Sequence, residues 1–340
     1  MRRGGRRPAP GRRRQRAGIL SKRPTPAATA STAVQPGLVV AAFGRHCLVE
    51  SPDGERRICH PRGKKSQVVV GDRVDWLPTG DEGSVERVQE RRNLFYRQDE
   101  LRTKSFAANL DQLLVLIAAD PEFSERQLAR ALIAAEAEHI PVLIVLNKSD
   151  LQPAFDNAWE RLAPYRRMGA TVLPLRLKGA TAAGTEAGLN ELQQHLQGKT
   201  TLVLGPSGVG KSTLVNRLVP HAKALTGEIS RALNSGKHTT TSTTWYWTDG
   251  AKQTALIDSP GFQEFGLNHI EAVQLAQLMP DLRATLGDCR FYNCTHLHEP
   301  GCAVRAQVQG EDGAADASIG ENRYRIYTEL FAELSQRRLY

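Results

Sequence analysis

Residues 205–212 read Gly-Pro-Ser-Gly-Val-Gly-Lys-Ser, and residues 147–150 read Asn-Lys-Ser-Asp. The first stretch follows an apolar run at 200–204 and precedes TLVNRLV, which places a glycine-rich turn between a strand and a helix. Gly205, Gly208 and Gly210 let the backbone curl until its N–H groups face a phosphate chain, with the positive end of the helix behind them. Ser207, Val209 and Thr213 belong to the same binding loop. Lys211 reaches the β- and γ-phosphates, and Ser212 carries a hydroxyl for Mg²⁺. Asn147, Lys148 and Asp150 select the base. The Asp150 carboxylate accepts from N1–H and N2–H₂ of guanine, whereas adenine would leave it unpaired. Asn147 fixes the loop and the Lys148 stem lies along the base face.

Two further stretches complete a nucleotide site. LIDSPG ends an apolar run in Asp-x-x-Gly, so Asp258 can hold Mg²⁺ through water and the Gly261 N–H can meet the γ-phosphate. The threonine-rich loop NSGKHTTTSTT supplies Thr240 as a switch threonine for Mg²⁺. The residue after Asp-x-x-Gly is Phe262, which cannot hydrogen-bond water, and Gln263 follows one position later. His238, beside the switch threonines, is the internal candidate for water activation, together with Lys211 as a catalytic cation.

CRFYNCTHLHEPGC spaces Cys289, Cys294 and Cys302 around His296 and His298. Three thiolates and one imidazole suit a closed structural Zn²⁺ site, with either histidine as the fourth ligand. Five cysteines, an odd number, fit a reducing compartment with one metal site better than a disulfide framework.

The elements that position these residues divide the chain. Residues 1–23 carry ten of the 45 Lys/Arg and no acid, so the net charge of +9 belongs to a tail that favours phosphate backbones. An Arg-rich, acid-free start also resembles an organelle transit peptide, while the missing apolar segment rules out a secretory signal. Residues 37–92 read as five short strands with turn signals at Asp53-Gly54 and PTGDEG, a small closed barrel of the OB-fold or SH3-like type. From about residue 107 strands and helices alternate, with Ser124 as an N-cap, which implies a mainly parallel sheet covered on both faces. The last sixty residues hold the Cys/His cluster and an amphipathic helix. No apolar run is long enough for a membrane span.

The motif order is base loop, phosphate loop, threonine loop, Asp-x-x-Gly, a circular permutation of the usual guanine-nucleotide switch. With NKSD, GPSGVGKS, GKHTTT, DSPGFQEFG and the Cys/His cluster in that order, residues 37–340 resemble the RsgA family of circularly permuted GTPases. The resemblance implies a multidomain chain: a basic tail and linker (1–36), an OB-fold barrel (37–98), a permuted P-loop GTPase domain (106–282) and a zinc domain (283–340). It implies His296 as the zinc ligand and supports His238. It further implies GTP hydrolysis to GDP in late maturation and quality control of the small ribosomal subunit, with stimulation by the subunit, rRNA contact and then dissociation. The expected protein is cytoplasmic and monomeric. The alternative is a GTP-binding RNA-binding module with little turnover, and a third reading is an ATP-dependent small-molecule kinase, against which Asn147–Asp150 argues. LPLRLKGA departs from the family by lacking the serine of the guanine-supporting loop. Permutation also leads the chain from Gly261 into the zinc segment, so a shift at Gly261 is expected to reposition that segment.

Overall fold

Alternating apolar residues and two tight turns build the first part of the fold. In this computed structural model, which describes residues 33–63, 67–100, 102–178, 182–220, 222, 243–259, 262, 265–309 and 318–336, five strands run from Gln35 to Val88. They are β1 Gln35–Phe43, β2 His46–Glu50, β3 Arg56–Pro61, β4 Arg73–Thr79 and β5 Glu82–Val88. The order β1-β2-β3-β5-β4 closes because β4 pairs back to β1, Leu38 opposite Arg73. A first strand paired to both the second and the fourth is the OB-fold connectivity, which decides between the two barrel types. Val39, Val49, Val74, Trp76 and Val85 fill the interior. Gly37 is required where β1 crosses the tryptophan: a Cβ there would lie 2.4 Å from Val49 Cγ1 and 2.8 Å from Trp76 Cδ1. β1 starts at Gln35, inside the expected linker, and the basic tail lies outside the described residues.

A hairpin that sequence reading did not anticipate, β6 Leu94–Gln98 and β7 Thr103–Ala108, leads out of the barrel. The second sheet then forms from β8 Gln112–Ala118, β9 Val142–Asn147, β10 Thr171–Leu175, β11 Thr200–Leu204, β12 Thr244–Trp247 and β13 Ala255–Asp258. Its order is β10-β9-β8-β11-β13-β12, parallel except for β12. β8 is buried throughout. Its alternation sends Leu113, Val115 and Ile117 to one apolar cluster and Leu114, Leu116 and Ala118 to the other.

Helix α1, Glu125–Ala137, covers the first face. Ser124 caps it, its hydroxyl accepting from the Gln127 N–H at 3.3 Å. α3 Ala163–Arg167 lies against β10 and α2 Ala154–Arg161 against α3, while α4 Ala182–Leu196 and α5 Lys211–Leu218 cover the second face through Leu192, Leu196, Leu214 and Val215. At the C-terminal end come α6 Pro280–Arg283, α7 Ala303–Gln309 and α8 Glu321–Gln336. Ile326, Tyr327, Leu330 and Leu334 of α8 belong to the same apolar cluster as α1. A buried pair also ties α8 down: Arg323, 2% exposed, donates through Nε and Nη2 to the Asp281 carboxylate at 2.8 and 2.9 Å. Among the described residues no helix is long and apolar enough to cross a membrane.

Barrel and sheet are joined at β12, where Ala41 faces Thr244. Glu50, 5% exposed, accepts from Trp247 Nε1 at 2.9 Å, Lys252 Nζ at 2.7 Å and Arg56 Nε at 2.7 Å. Burial raises the Glu50 pKa, but these three donors outweigh it and hold the carboxyl below its usual value. A lowered folded pKa means that this stability is present above the ordinary carboxylate range and fades as pH falls through the folded value. Glu50→Ala is expected to remove about 2–3 kcal/mol, because three donors lose one acceptor. A lower thermal transition of the full chain at pH 7, with the difference from wild type shrinking in acid, checks it.

Candidate nucleotide site and metal centre

The strand order explains how loops distant in sequence meet. β9 and β11 flank β8, so the loops after Asn147 and after Leu204 emerge side by side at one carboxyl edge of the sheet. Asn147 is buried and its Nδ2 donates to the Val209 carbonyl at 2.8 Å, tying the base loop to the phosphate loop. Gly210, at φ 105°, must lack a side chain, because a Cβ would lie 2.5 Å from Asn147 Nδ2. Gly205 is excluded from change in the same way: its Cβ would stand 2.5 Å from the Leu116 carbonyl oxygen of β8.

A cavity of about 950 Å³ opens over these loops. Asn147, Lys148 and Asp150 of the one loop and Gly205, Ser207, Gly208, Gly210, Lys211, Ser212 and Thr213 of the other line it together. Asp258, the last residue of β13 and opposite Val203 of β11, lines the same cavity. Val209 does not line the cavity, but its carbonyl accepts the Asn147 hydrogen bond. Lys148 takes a left-handed conformation, φ 66°, and the Ser149 N–H donates to the Leu175 carbonyl at 3.1 Å, which sets the turn of the base loop.

The ion that accompanies a nucleotide finds a fitting residue here. Asp258 is 8% exposed and its Oδ1 receives no hydrogen bond, although Lys211 Nζ stands 3.3 Å away. Lys211 Nζ donates instead to the Ser259 carbonyl oxygen. A buried carboxylate oxygen with an incomplete shell suits a hydrated dication, and Ser212 borders the same cavity. Thr240, Gly261 and His238 lie outside the described residues, as does Gln263. Phe262 is described: it is buried, lines the cavity and lies 6.1 Å from Phe265 between ring centroids.

Sequence reading left Pro206, Leu151, Leu177 and Lys178 out of the cavity wall. Leu177 and Lys178 follow β10 in the loop that lacks the family's serine, and Arg176 Nε donates to the Lys178 carbonyl at 3.1 Å. The available signal was positional. Every loop at the carboxyl edge of a parallel sheet is a candidate wall.

The metal cluster is assembled as well. The ligand atoms of Cys289, Cys294, His296 and Cys302 all lie within 4.8 Å of one another. His296 Nδ1 is 3.5 Å from both Cys289 Sγ and Cys302 Sγ. Tetrahedral Zn–S and Zn–N bonds of about 2.3 and 2.0–2.1 Å put sulfur and nitrogen about 3.5 Å apart, so the donor set fits a zinc ion. His298 is exposed and outside the cluster, so His296 is the histidine brought among the three thiols. Burial pushes the Cys294 thiol up to about 12 and raises Cys302 also. A coordinating dication is what turns such thiols into thiolates. Around the ligands, Tyr324 and Tyr327 donate to the His296 and Thr295 carbonyls, each at 2.7 Å. The Glu299 carboxylate accepts from the Thr295, Leu297 and His298 N–H groups.

Comparison with known proteins agrees with this geometry. The sequence model of the RsgA GTPase family matches residues 88–268. A Variovorax paradoxus protein named small ribosomal subunit biogenesis GTPase RsgA is 68% identical over 314 residues, covering 92% of this chain and 96% of that protein. A Paraburkholderia phytofirmans protein of the same name is 52% identical, covering 92% and 96%. The crystal structure of YjeQ from Thermotoga maritima superposes with a TM-score of 0.66 at 28% identity, covering 89% of this chain and 99% of that one. That of YloQ, described as a circularly permuted GTPase, gives 0.65 at 26% identity, covering 92% and 99%. With a permuted phosphate-loop sheet, an OB barrel and a Cys₃His cluster in place, the chain belongs to the RsgA GTPase family and is a GTP hydrolase.

Proposed function

We propose that this GTPase acts in late maturation and quality control of the small ribosomal subunit, is stimulated by the subunit, and dissociates after hydrolysis. The guanine-nucleotide part rests on the Asn147–Val209 hydrogen bond, which brings base reader and phosphate loop into one cavity. The names of the 68% and 52% identical relatives support the subunit as partner. Asp150 would hold the guanine edge and Lys148 its face. Lys211 would leave the Ser259 carbonyl for the phosphates, which the N–H groups of Gly208, Gly210 and Ser212 surround. Ser212, Thr240 and Asp258 would hold Mg²⁺, which when bound neutralises charge on the β- and γ-phosphates. The Gly261 N–H would meet the γ-phosphate.

Phe262 stands where many GTPases place a water-orienting glutamine, so His238 would take that role once the subunit completes the site. Cys289, Cys294, His296 and Cys302 would hold one structural Zn²⁺. Barrel, metal segment and basic tail would grip rRNA, in a cytoplasmic monomer divided near residues 36, 98–106 and 282. The bacterial relatives lend no support to the transit-peptide reading of the tail. Phe262 also favours a second reading, a GTP-binding RNA module that barely turns over.

GTP turnover of the chain alone, with small subunits and with naked RNA of matched charge decides between them. Strong stimulation by subunits alone is expected; equal effects of subunit and naked RNA would remove the assembly role. In His238→Ala, subunit-stimulated turnover is expected to fall roughly 100-fold with GTP affinity unchanged. A variant as fast as wild type would exclude His238.

A further inference from the structure

Two large apolar side chains stand in the open on the metal loop. Phe291 is 40% exposed and Tyr292 is fully exposed, adjacent to one another between Cys289 and Cys294. Neither belongs to the apolar clusters, although Cys289, Cys294 and Leu297 around them pack against one. The tip that carries them is short and pinned. Its ends are candidate metal ligands, the Cys294 N–H donates to the Phe291 carbonyl at 3.2 Å, and the Arg290 N–H donates to the Gly301 carbonyl at 3.0 Å. The Arg290 guanidinium lies 5.5 Å from the Phe291 ring centroid. Rigid rings on a short turn lose little conformational freedom when they bind.

We infer that the Arg290–Asn293 tip is a stacking platform for unpaired RNA bases, with Tyr292 and Phe291 as the ring faces and Arg290 as the partner of an adjacent phosphate. This rests on the RNA-bound reading proposed above and adds the residues and the chemistry. Two neighbouring rings offer too little area for a stable protein interface, which needs about 800 Å² on each partner, but they match one or two bases. A cation beside an aromatic face, Arg290 beside Phe291, is the combination that single-stranded RNA meets.

The test uses the full, metal-loaded chain and two RNA oligonucleotides of equal length, one ordinary and single-stranded, the other abasic at consecutive central positions. Wild type is expected to bind the ordinary strand roughly tenfold more tightly than the abasic one. Tyr292→Ala should lose that preference while its affinity for the abasic strand, its GTP affinity and its metal content stay as in wild type. Tyr292→Trp should keep the preference, and the indole emission should be quenched by the ordinary strand only. A Tyr292→Ala, Phe291→Ala double variant that still prefers bases overturns the inference. So does one that loses binding to small subunits while its RNA preference is intact, since the tip would then meet protein. Wild type that prefers bases yet neither binds nor is stimulated by subunits would defeat the ribosomal reading and leave the stacking platform standing.

Discussion

Asp150→Asn is expected to lower affinity for GTP roughly 1,000-fold and to make xanthosine triphosphate the preferred ligand. The Asp150 carboxylate offers two acceptors, which match guanine N1–H and the 2-amino group. An asparagine amide keeps one acceptor and turns the other into a donor, which faces the amino group of guanine and cannot pair with it. Xanthine carries a carbonyl oxygen at that place and retains N1–H, so the pattern matches again. Two charge-assisted hydrogen bonds at about 1.5–3 kcal/mol each set the size of the loss. The fold should be indifferent to the change, because Asp150 is exposed while buried Asn147 keeps its bond to the Val209 carbonyl. Competition binding with GTP, ATP and xanthosine triphosphate reads the outcome directly. An unchanged GTP affinity would mean that another group reads the base, the first suspects being the Leu177–Lys178 backbone.

Removing the metal should undo the C-terminal segment and leave the nucleotide site working. Residues 289–302 contain no helix or strand, so few backbone hydrogen bonds hold them. Their shape depends on the four ligands, on the Glu299 carboxylate under three N–H groups, and on two tyrosine hydroxyls from α8. Structural zinc contributes about 10–16 kcal/mol in small zinc folds, as much as the whole stability of an ordinary domain. Cys294→Ser, or chelation of the wild type, is therefore expected to unfold residues 286–309 and to loosen α8 where Tyr324 and Tyr327 lose the His296 and Thr295 carbonyls. The distal half of α8 should remain docked, because Leu330 and Leu334 lie in the α1 core. Hydrogen exchange paired with metal analysis checks this. Protected amides around Thr295 and Leu297 after complete metal loss would show that packing alone holds the loop. GTP affinity should change by less than about twofold, because the cavity and the cluster share no residue.

Much of the chemistry was legible in the chain because it is local. A phosphate loop needs glycines at fixed spacings so that contiguous N–H groups can turn inward, and Gly208 and Gly210 do adopt positive φ. The four metal ligands occupy fourteen residues, and the Asp53-Gly54 turn and the Ser124 cap act within a few positions. Alternating or clustered β-formers predicted the barrel strands, and continuous apolar runs predicted the buried strands of the sheet, for the same reason.

What the sequence by itself determined, then, is the set of ligand-binding groups and the elements that carry them: guanine loop, phosphate loop, acidic strand end and thiolate cluster. The tertiary structure alone decided which of them meet. Strand order put β9 and β11 on either side of β8 and so let Asn147 bind the Val209 carbonyl. It chose His296 over His298, and the closure of β4 on β1 made the barrel an OB-fold. It also showed where the chain goes after the acidic strand end. Within the stretch expected between that end and the metal segment, Gly266 and Asn268 bond to Gln98 of the unforeseen hairpin. Glu50 and Trp247, or Arg323 and Asp281, have no mark in sequence as partners. A buried charge is stable only beside its counterpart, and which counterpart arrives is set by the packing of whole sheets and helices, not by spacing along the chain.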